Sequence, residues 1–177
     1  MKSFTTLSLT VLGAMVLAGC ATSYTSSPSR QVPERWNFAF DSREWRVGYQ
    51  ADNRQQAVRE YVLPGQTVHN WRELVTSHYS VQQVAVSAMF EEMKLRLSRD
   101  CPSLRVSIIE ESADNILYEW QHDGCQGYPP QHELRRITRS LNGTLMLSYV
   151  AKTPQLSAET RSTWISIIKA AKVRPDA

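Results

Sequence analysis

The sequence predicts an α+β fold: an antiparallel sheet, made of a hairpin and a four-strand meander, with two long helices packed on it. Three observations carry this. Between residues 104 and 149 apolar side chains alternate with a period of two, broken by turn clusters at 112–115 and at Asn142-Gly143. Residues 86–97 and 164–171 instead carry apolar side chains at helical spacing. The helical stretches also stand between runs of strands instead of alternating with them one for one, which is the α+β order.

Element by element, Trp36, Phe38 and Phe40 alternate at the start of the domain, as a first strand or a wrapped core segment does. Trp45-Arg46-Val47-Gly48-Tyr49 reads as a half-buried strand, and residues 57–63 as its hairpin partner, stopped by Pro64-Gly65. Asn70 with Glu73 three residues on is a capping-box pattern and predicts a short helix over 71–75. Ser80 caps a longer helix in which Val86, Met89, Phe90, Met93 and Leu97 form one stripe, ended by Pro102. Two strands at 104–111 and 116–122 follow, then a Gly/Pro-rich loop at 123–130 and a strand at 132–140. Asn142-Gly143 is the strongest hairpin signal in the chain, and Leu145, Leu147 and Tyr149 alternate after it. Ser157 caps a last helix with Trp164, Ile167, Ile168 and Ala171 on its core side. This order, over about residues 37–172, resembles the Mog1/PsbP-like fold, whose members are mostly accessory or binding proteins.

The N-terminus carries the address. Lys2 precedes an apolar run from Leu7 to Leu17, and Leu17-Ala18-Gly19-Cys20 closes it with small residues before a cysteine. The run is too short to span a membrane, which needs about 20 apolar residues. These four residues resemble the bacterial lipobox, which implies cleavage before Cys20 and fatty acylation of its sulfur. Ala21, in the position that sorts such proteins between membranes, resembles the outer-membrane-directed kind. The expectation is therefore a signal peptide over 1–19, an acylated tether over 20–33 and one domain over 34–177, anchored in the outer membrane and facing the periplasm. The tether, rich in Ser and Thr, is small, polar and aperiodic. Cleavage removes 19 of the 177 residues, leaving 158 with a formal charge of +2 in place of +3. That balance argues against a nucleic-acid partner.

With Cys20 acylated, Cys101 and Cys125 remain, in a compartment that permits disulfides. Folding the 104–122 hairpin about Ala113 sets position 101 opposite 125, twelve residues from the centre on either side. Facing strands bring Cα atoms to about 5.5 Å, within disulfide reach. The competing reading of the pair is redox or metal chemistry, but Cys-x-x-Cys is absent and neither cysteine shows a histidine at ligand spacing.

No nucleophile elbow, P-loop, GxGxxG or His-Glu-x-x-His occurs, so no catalytic, cofactor or metal residue is assigned. His122 and His132 flank one loop and, with Asp123 or Glu133, offer a remote zinc option set against solvated strand ends. Arg135, Arg136 and Arg139 form the densest basic cluster, either a small anion site or an edge strand guarded by charge. The loop 124–130, with Tyr128-Pro129-Pro130, is the candidate partner contact. Glu60-Tyr61-Val62-Leu63-Pro64-Gly65-Gln66 and Asn70-Trp71-Arg72-Glu73-Leu74-Val75-Thr76 resemble a segment shared by small uncharacterised exported proteins and lipoproteins of Gram-negative bacteria, a family with no established activity to carry over. The expected function is a non-catalytic outer-membrane lipoprotein that contacts the bilayer through Cys20 and an envelope protein through its domain. The alternatives are a small-ligand-binding module with a pocket between sheet and helices, and an envelope hydrolase whose site is assembled from distant residues.

Overall fold

The computed structural model describes residues 34–53 and 55–175. The lipobox, Cys20 and the tether lie outside the described residues. The elements run β1 (Glu34–Asn37), β2 (Arg46–Asp52), β3 (Gln56–Val62), β4 (Glu73–Ser80), α1 (Val86–Asp100), β5 (Arg105–Ser112), β6 (Asn115–His122), β7 (Gln131–Arg139), β8 (Thr144–Ala151), α2 (Ala158–Ala170) and β9 (Lys172–Pro175). Seven strands form one antiparallel sheet in the order β2-β3-β4-β8-β7-β6-β5, and β1 pairs with β9 in a separate ribbon. Among the described residues no helix is long and apolar enough to cross a membrane.

This corrects the expected α+β class: among the described residues the fold is mostly β, with nine strands in two sheets and two helices. The decisive difference lies at 71–75. The expected short helix is instead the start of β4, which pairs with β3 on one side and β8 on the other. Local propensity loses here to tertiary context. Val75 and Tyr79 are buried on one face of the sheet and Leu74 on the other, so each side of this strand meets a core. Glu73 caps nothing; its carboxylate accepts from the Tyr149 hydroxyl at 2.5 Å and from Arg43 at 2.7 Å. Strand β4 thereby joins the first hairpin to the meander as one continuous sheet.

Period-two alternation sorts side chains between the two faces. One face carries Leu117, Leu134, Leu145, Leu147 and Tyr149, covered by α2 through Trp164 and Ile168 and by Trp36 of the ribbon. The opposite face carries Ile116, Tyr118, Trp120 and Ile137, covered by α1 through Val86, Phe90 and Met93. Strand β6 therefore meets a core on both sides.

Helix α2 starts where expected: the Ser157 hydroxyl accepts from the Thr160 amide at 3.1 Å. Ser157→Ala is expected to cost about 1 kcal/mol, seen as a lower urea midpoint with unchanged slope. Helix α1 starts at Val86, six residues after Ser80, with no side-chain cap. Ser80 ends β4 opposite Thr144, and its hydroxyl accepts from the Gln82 amide to turn the chain. The Thr144 hydroxyl then donates to the Gln82 carbonyl at 2.7 Å, tying the entry of α1 to the sheet. Asn142-Gly143 belongs to a four-residue loop, since Arg139 pairs with Thr144 and Ser140 bonds Gly143. Glycine is required at 143 because a Cβ there would strike the Ser80 carbonyl oxygen.

Candidate functional site

Helix α1 covers the sheet face at its β5–β7 end, and at the other end Val62 and Leu74 are covered by Val68 and Trp71 instead. The register places Tyr49, Glu60, Thr76, Ser148, Arg135 and Tyr118 side by side in one row running from β2 to β6. Cross-strand neighbours share a face, so this is a polar stripe across the interior of a sheet. The rows on either side are more apolar: Val62, Leu74 and Val150 on one, Met146, Ile137 and Ile116 on the other.

Where the stripe passes under α1 it opens into a cavity of about 150 Å³. Met89 and Met93 of α1 face Met146 and Ile137 of the sheet, and the polar members are Tyr118, Arg135 and Arg96, with Glu92 also on the lining. Tyr118 is fully buried, its ring edge-on to Phe90 at 4.9 Å, and its hydroxyl has no hydrogen-bond partner. Burial pushes its phenol up to about 12, so it stays protonated and able to donate. Arg135 donates from Nε to the Glu133 carboxylate at 2.6 Å. Burial works against its charge, but Glu133 and Tyr118 more than offset that and hold the guanidinium above its usual range. His78, on the neighbouring row, is pushed below the usual histidine range by burial and then by Arg135.

The three expected basic residues have three separate positions. Arg135 lies on the α1 side. Arg136 points to the other face, donating to the carbonyls of Ile168 and Ala171 at the end of α2 at 3.1 and 3.2 Å and lying over the Trp36 ring. Arg139 bonds Asp114 across the β5–β6 turn at 2.7 Å. The edge-strand reading of this cluster is overturned, because β7 lies between β6 and β8.

His122 and His132 do not meet. His122 pairs with Gln131 and His132 with Gln121, so the two rings project from opposite faces, and the zinc option built on both is corrected. Buried His132 bonds Glu119 through Nε2 at 3.2 Å, while its Nδ1 accepts from the Leu156 amide at 3.0 Å. Arg161 forks onto the same carboxylate at 2.7 and 2.9 Å. This acid–histidine pair has both ring nitrogens engaged inside the fold, which leaves neither free to act as a general base. A further network joins Asp41, Arg43, Glu73, Tyr149 and Trp45 beside a surface recess of about 300 Å³. The side chains of that network are bonded to one another, while the indole N–H of Trp164 on the recess lining has no partner.

Cys101 and Cys125 are bonded, as expected, with Cα atoms 5.1 Å apart. The route differs from the simple hairpin. Strands β5 and β6 turn at Ala113-Asp114, which alone would offset the pairing by one; a bulge at Ile109 restores it, so that Arg105 faces Gln121. Continuing that register sets 101 opposite 125, although Cys101 caps the end of α1 and Cys125 lies in the following loop. The sequence shows no histidine singled out by ligand spacing from either cysteine; in the fold a His122 ring nitrogen and both sulfurs lie within 4.8 Å of one another.

No family model matches the chain, and no curated protein does. Among solved structures, the human StarD13 (DLC2) lipid transfer and protein localization domain is similar over 72% of this chain and 84% of that one, at 8% identity and a TM-score of 0.24. A likeness of that size carries no argument about fold or function.

Proposed function

We propose that this chain is a non-catalytic binding protein of the bacterial cell envelope, held to the outer membrane by lipid on Cys20 and taking a small ligand between α1 and the sheet. The observation that supports it is the cavity at the end of the polar stripe, where methionines surround a buried hydroxyl with no partner. An apolar space with a few converging polar groups is the usual composition of a ligand site, and methionine adapts to ligand shape. Native mass spectrometry of the protein extracted from membranes in mild detergent should find a small molecule bound. Met93→Trp, which fills the cavity, should abolish that mass. Bare protein in both samples would overturn the reading.

The anchor has its own test. Cys20→Ser is expected to lose radiolabelled palmitate and to move the protein from the membrane pellet to the soluble fraction. Unchanged sedimentation of the serine variant would remove the anchor from the proposal.

One observation favours a second reading, contact with an envelope protein. Tyr128 is 66% exposed in a loop that Gly124, Gln126 and Gly127 turn sharply through positive φ. The loop is tied by paired backbone bonds between Cys125 and Tyr128 and by the disulfide at Cys125. A stiff loop showing an aromatic ring loses little entropy on docking. A photocrosslinker at position 128 in intact cells would capture such a partner as one discrete adduct.

A further inference from the structure

We infer that the cavity under α1 takes a small carboxylate with a compact apolar or aromatic body, bound by Tyr118, Arg135 and Arg96. This rests on the ligand-binding reading above and adds the class of ligand. Size sets the first limit: a cavity of about 150 Å³ is benzene-sized. Its wall of Met89, Met93, Met146 and Ile137 suits a polarisable or apolar body. The donors set the second. The Tyr118 hydroxyl is fully buried and unpartnered. Arg135 spends Nε on Glu133 and also acts directly on the Tyr118 hydroxyl, so the guanidinium and the phenol stand beside one another on the lining. Arg96, on the exposed side of α1, adds a second cation close enough to act on Tyr118. A planar guanidinium beside a hydroxyl matches the two oxygens of a carboxylate. Glu133 is already neutralised by Arg135, and Glu92 is exposed on α1, where water screens it.

A buried hydroxyl without a partner weakens a fold, and its retention has an explanation if a ligand completes it. This gives a test that separates a binding role from a structural one. The full chain, carrying ¹³C-methyl methionine, is titrated with benzoate and separately with benzyl alcohol, which has the same ring and no charge. Benzoate should shift the Met89, Met93 and Met146 methyl signals along one saturable curve, and benzyl alcohol should bind at least about tenfold more weakly. Tyr118→Phe should melt at the same temperature as the parent or higher, yet bind benzoate about tenfold more weakly. Arg96→Gln should weaken benzoate several-fold without moving the melting point. Equal binding of benzoate and benzyl alcohol would overturn the carboxylate class while leaving the binding site standing. Three unresponsive methyl signals with both probes, together with bare protein in the mass spectrum, would overturn both. A lowered melting point for Tyr118→Phe would show that the hydroxyl serves the fold and would sink the inference.

Discussion

Replacing Trp164 by alanine is expected to lower the unfolding free energy by about 3–5 kcal/mol, the usual cost of removing a large buried aromatic. Trp164 is 1% exposed and stands on the central turn of α2. Its ring stacks on Tyr149 at 4.2 Å and meets Trp45 edge-on at 5.5 Å. It therefore joins α2, β8 and the segment before β2 at one point. The loss would spread beyond the cavity itself, because Tyr149 and Trp45 are also held in the network with Glu73, Arg43 and Asp41. Trp164→Phe should cost less than half as much, since phenylalanine keeps the stacking and removes an indole N–H that has no partner. Urea unfolding followed by circular dichroism measures both. An alanine variant within 1 kcal/mol of the parent would mean that α2 does not dock through this residue.

Period-two alternation was readable in most strands but not at the start of β4, which meets a core on both sides, and it gave β2 as half-buried although every residue of that strand is exposed. Residues 116–122 and 145–149 gave their strands directly, as did the two strands of the first hairpin. Helix α2 was readable because its cap, stripe and end agree. The failures have a common origin in partners remote in sequence. Asn70 and Glu73 make a valid local helix signal, but Glu73 is claimed by Tyr149 and Arg43, which lie 76 and 30 residues away in the chain. Ser80 looked like a cap until Thr144 supplied its strand partner. The ribbon of β1 and β9 joins the two ends of the domain, and no local pattern could pair them.

The candidate site was legible only in pieces. Arg135 was noticed as a cation in a strand, and the options considered for it were an anion site and an exposed edge. What the residues alone could not supply was the register of seven strands, which alone sets Arg135 between Ser148 and Tyr118. The available signal was polarity out of place: Thr76 after Val75, Ser148 between Leu147 and Tyr149, and Arg135 after Leu134 are polar residues on strands inside a sheet. Polar groups on strands with neighbours on both sides usually have a reason beyond solubility.

Replacing both Cys101 and Cys125 by alanine is expected to cost about 3 kcal/mol, second only to the loss of Trp164. The bridge spans 24 positions and encloses the whole of β5 and β6. In the chain-entropy account its effect falls on the unfolded chain, whose freedom it restricts. A native-state effect adds to this. Cys101 is the residue at which α1 stops, and Cys125 lies in the loop from β6 to β7, so the bond pins the end of the helix beside an edge hairpin. Without it, β5 keeps its ladder to β6, the Glu110–Lys169 ion pair to α2 and the packing of Val106 and Ile109, as a sheet edge with Ile108 46% exposed. Alanine is the informative replacement because Cys101 is buried, and serine would add the desolvation of a hydroxyl. Urea unfolding of the parent under reductant should match the alanine double variant in midpoint and slope. Hydrogen exchange should show the loss of protection strongest at 97–101 and through β5, with α2 little changed. Equal midpoints for the oxidised parent and the double variant would mean that the bond is incidental to the fold, and uniform loss of protection would place its whole effect in the unfolded chain.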